Sequence, residues 1–226
     1  MNDMIVVTGA AGVLGRAVVD EFRARGAEVA ALDRLGDALT ELGRDPGVHP
    51  IAVDLVDPVS VAGAWAAVDA FGPPAALVTV AGGFAGGGLA DVDPRALDAM
   101  MSTNVATTLW SAQAAAARMR EAGGGAIVTI GSRTGVSGPG AVAYAAAKAA
   151  VVRLTEVLAD ELRPDGIRVN AVLPSVIDTP ANRSWMSAEA VARAVAPAAV
   201  ARVIAFLCSA DAAPISGAAI PVYGDA

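Results

Sequence analysis

The chain has 226 residues, 55 % of them hydrophobic and 4 % aromatic, with a net charge of −7. That length suits one α/β domain with a core of Ala, Val, Leu and Ile, and the negative charge disfavours nucleic acid and membrane as partners, because no basic field exists to neutralise phosphates. A single cysteine, Cys208, and a single histidine, His49, exclude an intrachain disulfide and a zinc site of the usual His/Cys type; no metal is expected, the reducing cytoplasm is the expected compartment, and no apolar run reads as a transmembrane helix.

Strand-like apolar runs fall at residues 4–8, 28–33, 49–53, 75–80, 126–131, 168–173 and 219–222. Helical periodicity falls at 14–25, 36–42, 60–70, 95–120, 142–162 and 198–209. Strands apolar on both faces and separated by helices mean a parallel sheet covered on both sides. Gly26, Gly72 and Gly166 sit at junctions where helices stop.

The first strand runs into Thr8-Gly9-Ala10-Ala11-Gly12-Val13-Leu14-Gly15 and then a helix. A glycine turn of this kind lets the backbone approach a pyrophosphate, and the helix N-terminus offers N–H donors and a favourable dipole. The second strand ends at Asp33, where a dinucleotide fold places its ribose-reading residue. A carboxylate there accepts from both ribose hydroxyls and repels a 2′-phosphate, so NAD(H) is favoured, with NADP(H) kept open by the adjacent Arg34. Asp54, ending the third strand, reads either as an adenine-edge acceptor or as a cap for the following helix.

Further along, Ser132 ends the fifth strand, and Tyr144 and Lys148 lie four apart in a strongly helical segment, so they share a face. Lys148 is the only lysine of the chain and stands one turn from one of its two tyrosines. An ammonium beside a phenol favours the phenolate, which makes the tyrosine a usable acid/base near neutral pH. After the sixth strand, a short segment at 180–197 carries Trp185 and Met186. With Phe84, Thr134 and Val136 these outline a small, mostly apolar pocket at the carboxyl ends of the strands; packing of the short lid on the body is the other reading of Trp185 and Met186. Arg133 and Arg183 are either solvated or face an acidic substrate group. The helices at 142–162 and 95–120 are rich in small apolar residues in directions that should be polar on a monomer, so a homodimer or homotetramer is expected.

The Thr8–Gly15 turn, Asp54, Ala81-Gly82, Asn104, Ser132, Tyr144, Lys148 and the run Arg168-Val169-Asn170-Ala171-Val172-Leu173-Pro174 occur in an order and at spacings that resemble the short-chain dehydrogenase/reductase family over essentially the whole chain. The resemblance implies a single Rossmann-type doubly wound domain over residues 1–226, with seven parallel strands in the order 3-2-1-4-5-6-7 and helices on both faces. It implies an NAD(P)-dependent oxidoreductase of a small carbonyl/alcohol substrate. Ser132 would hold the substrate oxygen, Tyr144 transfer the proton, Lys148 bind the nicotinamide ribose and lower the tyrosine pKa, and Asn104 anchor a water. The implied cofactor contacts are Gly9, Gly12, Val13, Leu14, Gly15, Asp33, Arg34, Asp54, Leu55, Ala81, Gly82, Tyr144, Lys148, Pro174, Ile177 and Thr179. The runs Ala81–Gly87 and Leu173–Arg183 are also similar to quinonoid dihydropteridine reductases. Those, however, carry an apolar residue where Ser132 stands and lack the asparagine at 104. Two alternatives therefore accompany the carbonyl/alcohol reading: reduction of a quinonoid ring, and a dinucleotide-sensing binding protein without turnover.

Overall fold

The computed structural model describes residues 3–225; residues 1, 2 and 226 of the expected domain lie outside the described residues. Seven strands form one parallel sheet: β1 (Met4–Thr8), β2 (Glu28–Asp33), β3 (Val48–Ala52), β4 (Ala76–Thr79), β5 (Gly125–Ile130), β6 (Ile167–Pro174) and β7 (Ala219–Val222). Their order is β3-β2-β1-β4-β5-β6-β7, as expected from the sequence. Every β1 residue is buried, and its alternation serves both layers. Ile5 and Val7 pack with Val18 and Phe22 of α1 (Val13–Ala24), Leu39 of α2 (Asp37–Leu42) and Ile204 of α9 (Pro197–Cys208). Met4 and Val6 pack on the opposite face with Trp65 of α3 (Pro58–Val68), Met119 of α5 (Thr107–Ala122) and Ala159 of α6 (Val142–Glu161). Two cores separated by a sheet are what strands apolar on both faces require.

The element limits move by a residue or two for local reasons. Helix α3 begins at Pro58 because Asp57 caps it, accepting from the Val59 amide at 3.0 Å. β3 contains Pro50, which an edge strand tolerates because one side of its ladder is unpaired.

The expected helix 95–120 is a larger departure. It consists of α4 (Pro94–Met101), a π-helical turn at Ser102–Ala106, and α5. Asn104 Nδ2 donates to the Met100 carbonyl at 3.0 Å, the acceptor a regular helix would give to the Asn104 backbone N–H. The segment after β6, expected as a plain short lid, holds two short helices, α7 (Pro180–Arg183) and α8 (Ala188–Arg193), tied to the body by a parallel bridge between Ile177 and Val195.

Candidate active site

The candidate residues gather along the carboxyl ends of β1, β4, β5 and β6, where neighbouring strands lead to opposite faces of the sheet. At the end of β1, Gly9 takes φ +65°, and a Cβ on it would lie 2.6 Å from the Ala81 nitrogen. A Cβ on Gly15 would lie 2.0 Å from the Gly9 carbonyl oxygen. These two glycines are forced by the close approach of turn, helix and β4. Gly12 is not, since it has an ordinary φ of −71° and a Cβ would meet only ordinary contact. As N-cap of α1 it supplies no side-chain hydrogen bond, so the first-turn amides of Val13, Leu14 and Gly15 are left to a ligand or to water. That bare N-terminus, with Val13 47 % exposed beside it, fits the pyrophosphate of a dinucleotide.

Asp33 stands at the mouth of the same turn. Its Oδ2 accepts from the Ala11 amide at 2.9 Å and its Oδ1 from the Arg34 amide at 2.7 Å, which fixes the carboxylate in place. Asp54 does not cap α3, because Asp57 does; its Oδ1 accepts from the Val56 amide at 3.1 Å, and its residue remains exposed beside the third strand. Leu55 is buried in the core beneath α3, so it meets a ligand at most through its backbone. The hydroxyl of Thr8 accepts from the Ala81 amide at 3.3 Å and joins the glycine turn to the end of β4.

Gly82 forms the floor of the next part of the cleft. A Cβ there would lie 2.8 Å from Asn104 Oδ1 and 3.5 Å from Lys148 Nζ. A side chain would thus fill the space above the two polar groups, and its absence leaves a cradle that fits a cofactor ribose. Asn104 is buried, and its amide spans the cleft floor. Nδ2 also donates to the Gly83 carbonyl at 3.1 Å, and Oδ1 accepts from the Gly83 amide at 3.3 Å.

Helix α6 carries Tyr144 and Lys148 on one face. Lys148 is 6 % exposed, and its Nζ donates to the Ile130 carbonyl at 2.8 Å. Burial lowers its pKa to about 8. The ammonium lies 5.8 Å from the centre of the Tyr144 ring. Burial raises the tyrosine pKa above its ordinary value, and hydrogen bonding with Ser132 opposes that rise. Desolvation of the phenolate is the larger of these two causes, and the ammonium of Lys148 is turned to a backbone carbonyl.

Ser132 lies just beyond the end of β5 and caps the 3-10 turn Arg133–Gly135. That turn is seated directly on α6, since a Cβ on Gly135 would lie 2.8 Å from the Lys148 carbonyl carbon. Phe84, 69 % exposed, meets the Tyr144 ring edge-on with centres 5.0 Å apart. Val136 is exposed at the same mouth, and Met186 is half-buried. Trp185 is 66 % exposed and does not pack the lid down. Arg183 is held by Asp178, with Nη2 2.6 Å from Oδ2, and Arg133 lies over the Tyr223 ring at 5.2 Å. Pro174 ends β6, Ile177 is tied to Val195, and the Thr179 hydroxyl caps α7 by accepting from the Asn182 amide at 3.1 Å.

Two features escaped the reading of the sequence. Thr134, taken there as pocket lining, bonds Ser132: the two hydroxyl oxygens are 3.1 Å apart, and the Thr134 amide donates to Ser132 Oγ at 3.3 Å. A serine hydroxyl commonly accepts from the amide two residues on, and Ser132 after a strand could have signalled such a local turn. The π-turn at Asn104 left no comparable mark in the periodicity.

The family model described as "short chain dehydrogenase" matches residues 3–190. A D-threitol dehydrogenase of Mycolicibacterium smegmatis is 34 % identical, the alignment covering 97 % of this chain and 90 % of that one. A meso-2,3-butanediol dehydrogenase of Serratia marcescens is 32 % identical over 100 % of this chain and 94 % of its own. Among solved structures, an oxidoreductase of the short chain dehydrogenase/reductase family from Burkholderia thailandensis superposes with a TM-score of 0.91 at 34 % identity, covering 99 % of this chain and 92 % of that one. The chain belongs to the short-chain dehydrogenase/reductase family and is an oxidoreductase of it, a class that works with NAD(H) or NADP(H).

Proposed function

We propose that the protein interconverts a hydroxyl and a carbonyl on a small, uncharged substrate, with NAD(H) preferred as cofactor. The observation that carries this reading is the convergence of Ser132, Tyr144, Lys148 and Asn104 beside Gly82. The turn Gly9–Gly15 would hold the pyrophosphate, Asp33 the adenosine ribose, and Lys148 with the space over Gly82 the nicotinamide ribose. The bound nicotinamide supplies or accepts the hydride. Ser132 donates a hydrogen bond to the substrate oxygen, and the Tyr144 phenol, whose pKa burial raises above its ordinary value, gives its proton to that oxygen in the direction of reduction. In the direction of oxidation the phenolate takes the proton back. Lys148 keeps a buried positive charge at the site below a pH of about 8.

Apolar groups at the mouth (Phe84, Val136, Trp185) and the engagement of Arg183 by Asp178 favour a neutral substrate. The polyol and diol substrates that name the two relatives agree with this. The carboxylate of Asp33, held by two backbone amides, supports NAD(H) over NADP(H). The protein is taken to be cytoplasmic because its one cysteine, Cys208, leaves no intrachain disulfide to form.

The test is a cofactor assay with D-threitol, meso-2,3-butanediol, acetoin and diacetyl, each with both nicotinamide cofactors. Turnover of at least one, with higher kcat/KM for the unphosphorylated cofactor, is expected. Tyr144→Phe should lower kcat by roughly 100- to 10,000-fold while NADH still binds. Full activity in that variant would overturn the proposed role of Tyr144, and absence of turnover with every compound and both cofactors would overturn the substrate class.

A further inference from the structure

Ser132 Oγ carries one proton and two acceptor lone pairs. If its proton goes to a neighbour within its own turn, the residue meets a substrate oxygen as an acceptor facing an acceptor. What surrounds it therefore decides what it can do. The Thr134 amide donates to Ser132 Oγ at 3.3 Å, which engages one lone pair. The Thr134 hydroxyl lies 3.1 Å from the same oxygen. Threonine is stiff at χ1, and Thr134 is held from behind: a Cβ on Gly140 would lie 2.9 Å from Thr134 Cβ and 3.1 Å from its methyl. The whole turn is fixed on α6 by Gly135.

We propose that Thr134 is a positioning residue: its amide and hydroxyl both donate to Ser132 Oγ, fill both lone pairs, and leave the Ser132 proton only one outlet, toward Tyr144 and the substrate oxygen. This rests on the reading of Ser132 and Tyr144 given above. A hydroxyl that receives hydrogen bonds becomes a better donor, because chains of such bonds polarise one another in a buried site. Two donations into Ser132 thus strengthen the one that leaves it. The Thr134 side chain does this without touching the reacting atoms.

The chain offers a direct spectroscopic readout. It has two tyrosines, Tyr144 and Tyr223. In a Tyr223→Phe background, which keeps an aromatic ring beneath Arg133, the phenolate absorbance reports Tyr144 alone. Rapid pH jumps would record it before the fold responds. The Lys148 ammonium, 5.8 Å from the centre of the Tyr144 ring, is unchanged in every variant of the series. Donation from Ser132 stabilises the phenolate, so weakening it raises the Tyr144 pKa. Thr134→Val, which keeps the volume against Gly140, should raise that pKa by a few tenths of a unit, Thr134→Ser should leave it at the parent value, and Ser132→Ala should raise it by about one unit or more. Thr134→Ala serves if the valine variant does not fold, as judged by circular dichroism. A rise with Ser132→Ala but none with Thr134→Val or Thr134→Ala overturns the role of Thr134 and leaves the site reading intact. No rise with Ser132→Ala overturns both, since Ser132 would then not act on the phenol.

Discussion

Lys148 shows how far one residue is bent toward function. The folded chain holds it at a pKa of about 8, against 10.5 for an ordinary lysine, because its ammonium is buried with one carbonyl partner. The folded value lies below the unfolded one, so the cost of burying the charge is fully present below pH 8. It declines as pH rises from about 8 to 10.5 and is gone above that. Lys148→Met should therefore stabilise the protein at pH 7 by about 1–2 kcal/mol, after the lost hydrogen bond to Ile130 is set against the relieved charge. Thermal melting would show a rise of a few degrees at pH 7 that fades toward pH 10.5. A fall in Tm at pH 7 would mean that the carbonyl more than compensates the burial. The same variant should lose activity, a trade of stability against function that active sites commonly make.

Among the elements, the stretch α4–π-turn–α5 does most to shape the cleft floor. One helix with regular hydrogen bonding would leave the Met100 carbonyl to a backbone amide. Instead the Asn104 side chain takes it and also clasps both backbone groups of Gly83. The loop after β4, which carries Gly82 and Phe84, is thereby tied to the helix. Asn104→Ala should cost about 1–3 kcal/mol by leaving these buried groups without partners. Hydrogen exchange should rise at 82–84 as well as at 102–106. Exchange confined to the helix would show that the loop is held by other contacts. The periodicity of residues 95–120 made a helix legible there, but an extra residue in a turn barely shifts an apolar pattern, so the π-turn was not.

For the molecule as a whole, the outer faces of α4 and α6 raise the question of assembly. The sequence pointed to the runs of alanine in both long helices. The structure spends Ala112, Ala115 and Ala116 of α5 in the chain's own core, which explains that run without a partner. What stays outward is Leu97 and Met101 on α4 with Val142, Ala146, Ala149 and Val157 on α6. We propose that copies of the chain pair through this surface as a dimer or tetramer. Light scattering at micromolar concentration should give a multiple of 22.4 kDa, and Ala146→Arg should shift it toward the monomer. A monomeric parent protein would refute the pairing. Among the described residues, no helix is long and apolar enough to cross a membrane.

Much of this was written locally. A glycine turn between strand and helix, an aspartate at the end of the second strand, and a Tyr-x-x-x-Lys pair on a helical face are short-range patterns, and periodicity of 2 and 3.6 residues separates strands from helices. From these the sheet, its parallel sense and the identity of Ser132, Tyr144 and Lys148 as candidates were legible. What tertiary structure alone decided are the long-range approaches: the π-turn that lets Asn104 hold Gly83, the seating of Gly135 on α6, and the burial that raises the Tyr144 pKa. Burial and the direction in which a side chain points depend on elements far apart in the chain. A pKa is set by those surroundings rather than by residue type, which is why spacing could nominate the pair on α6 but not say which way its protons lean.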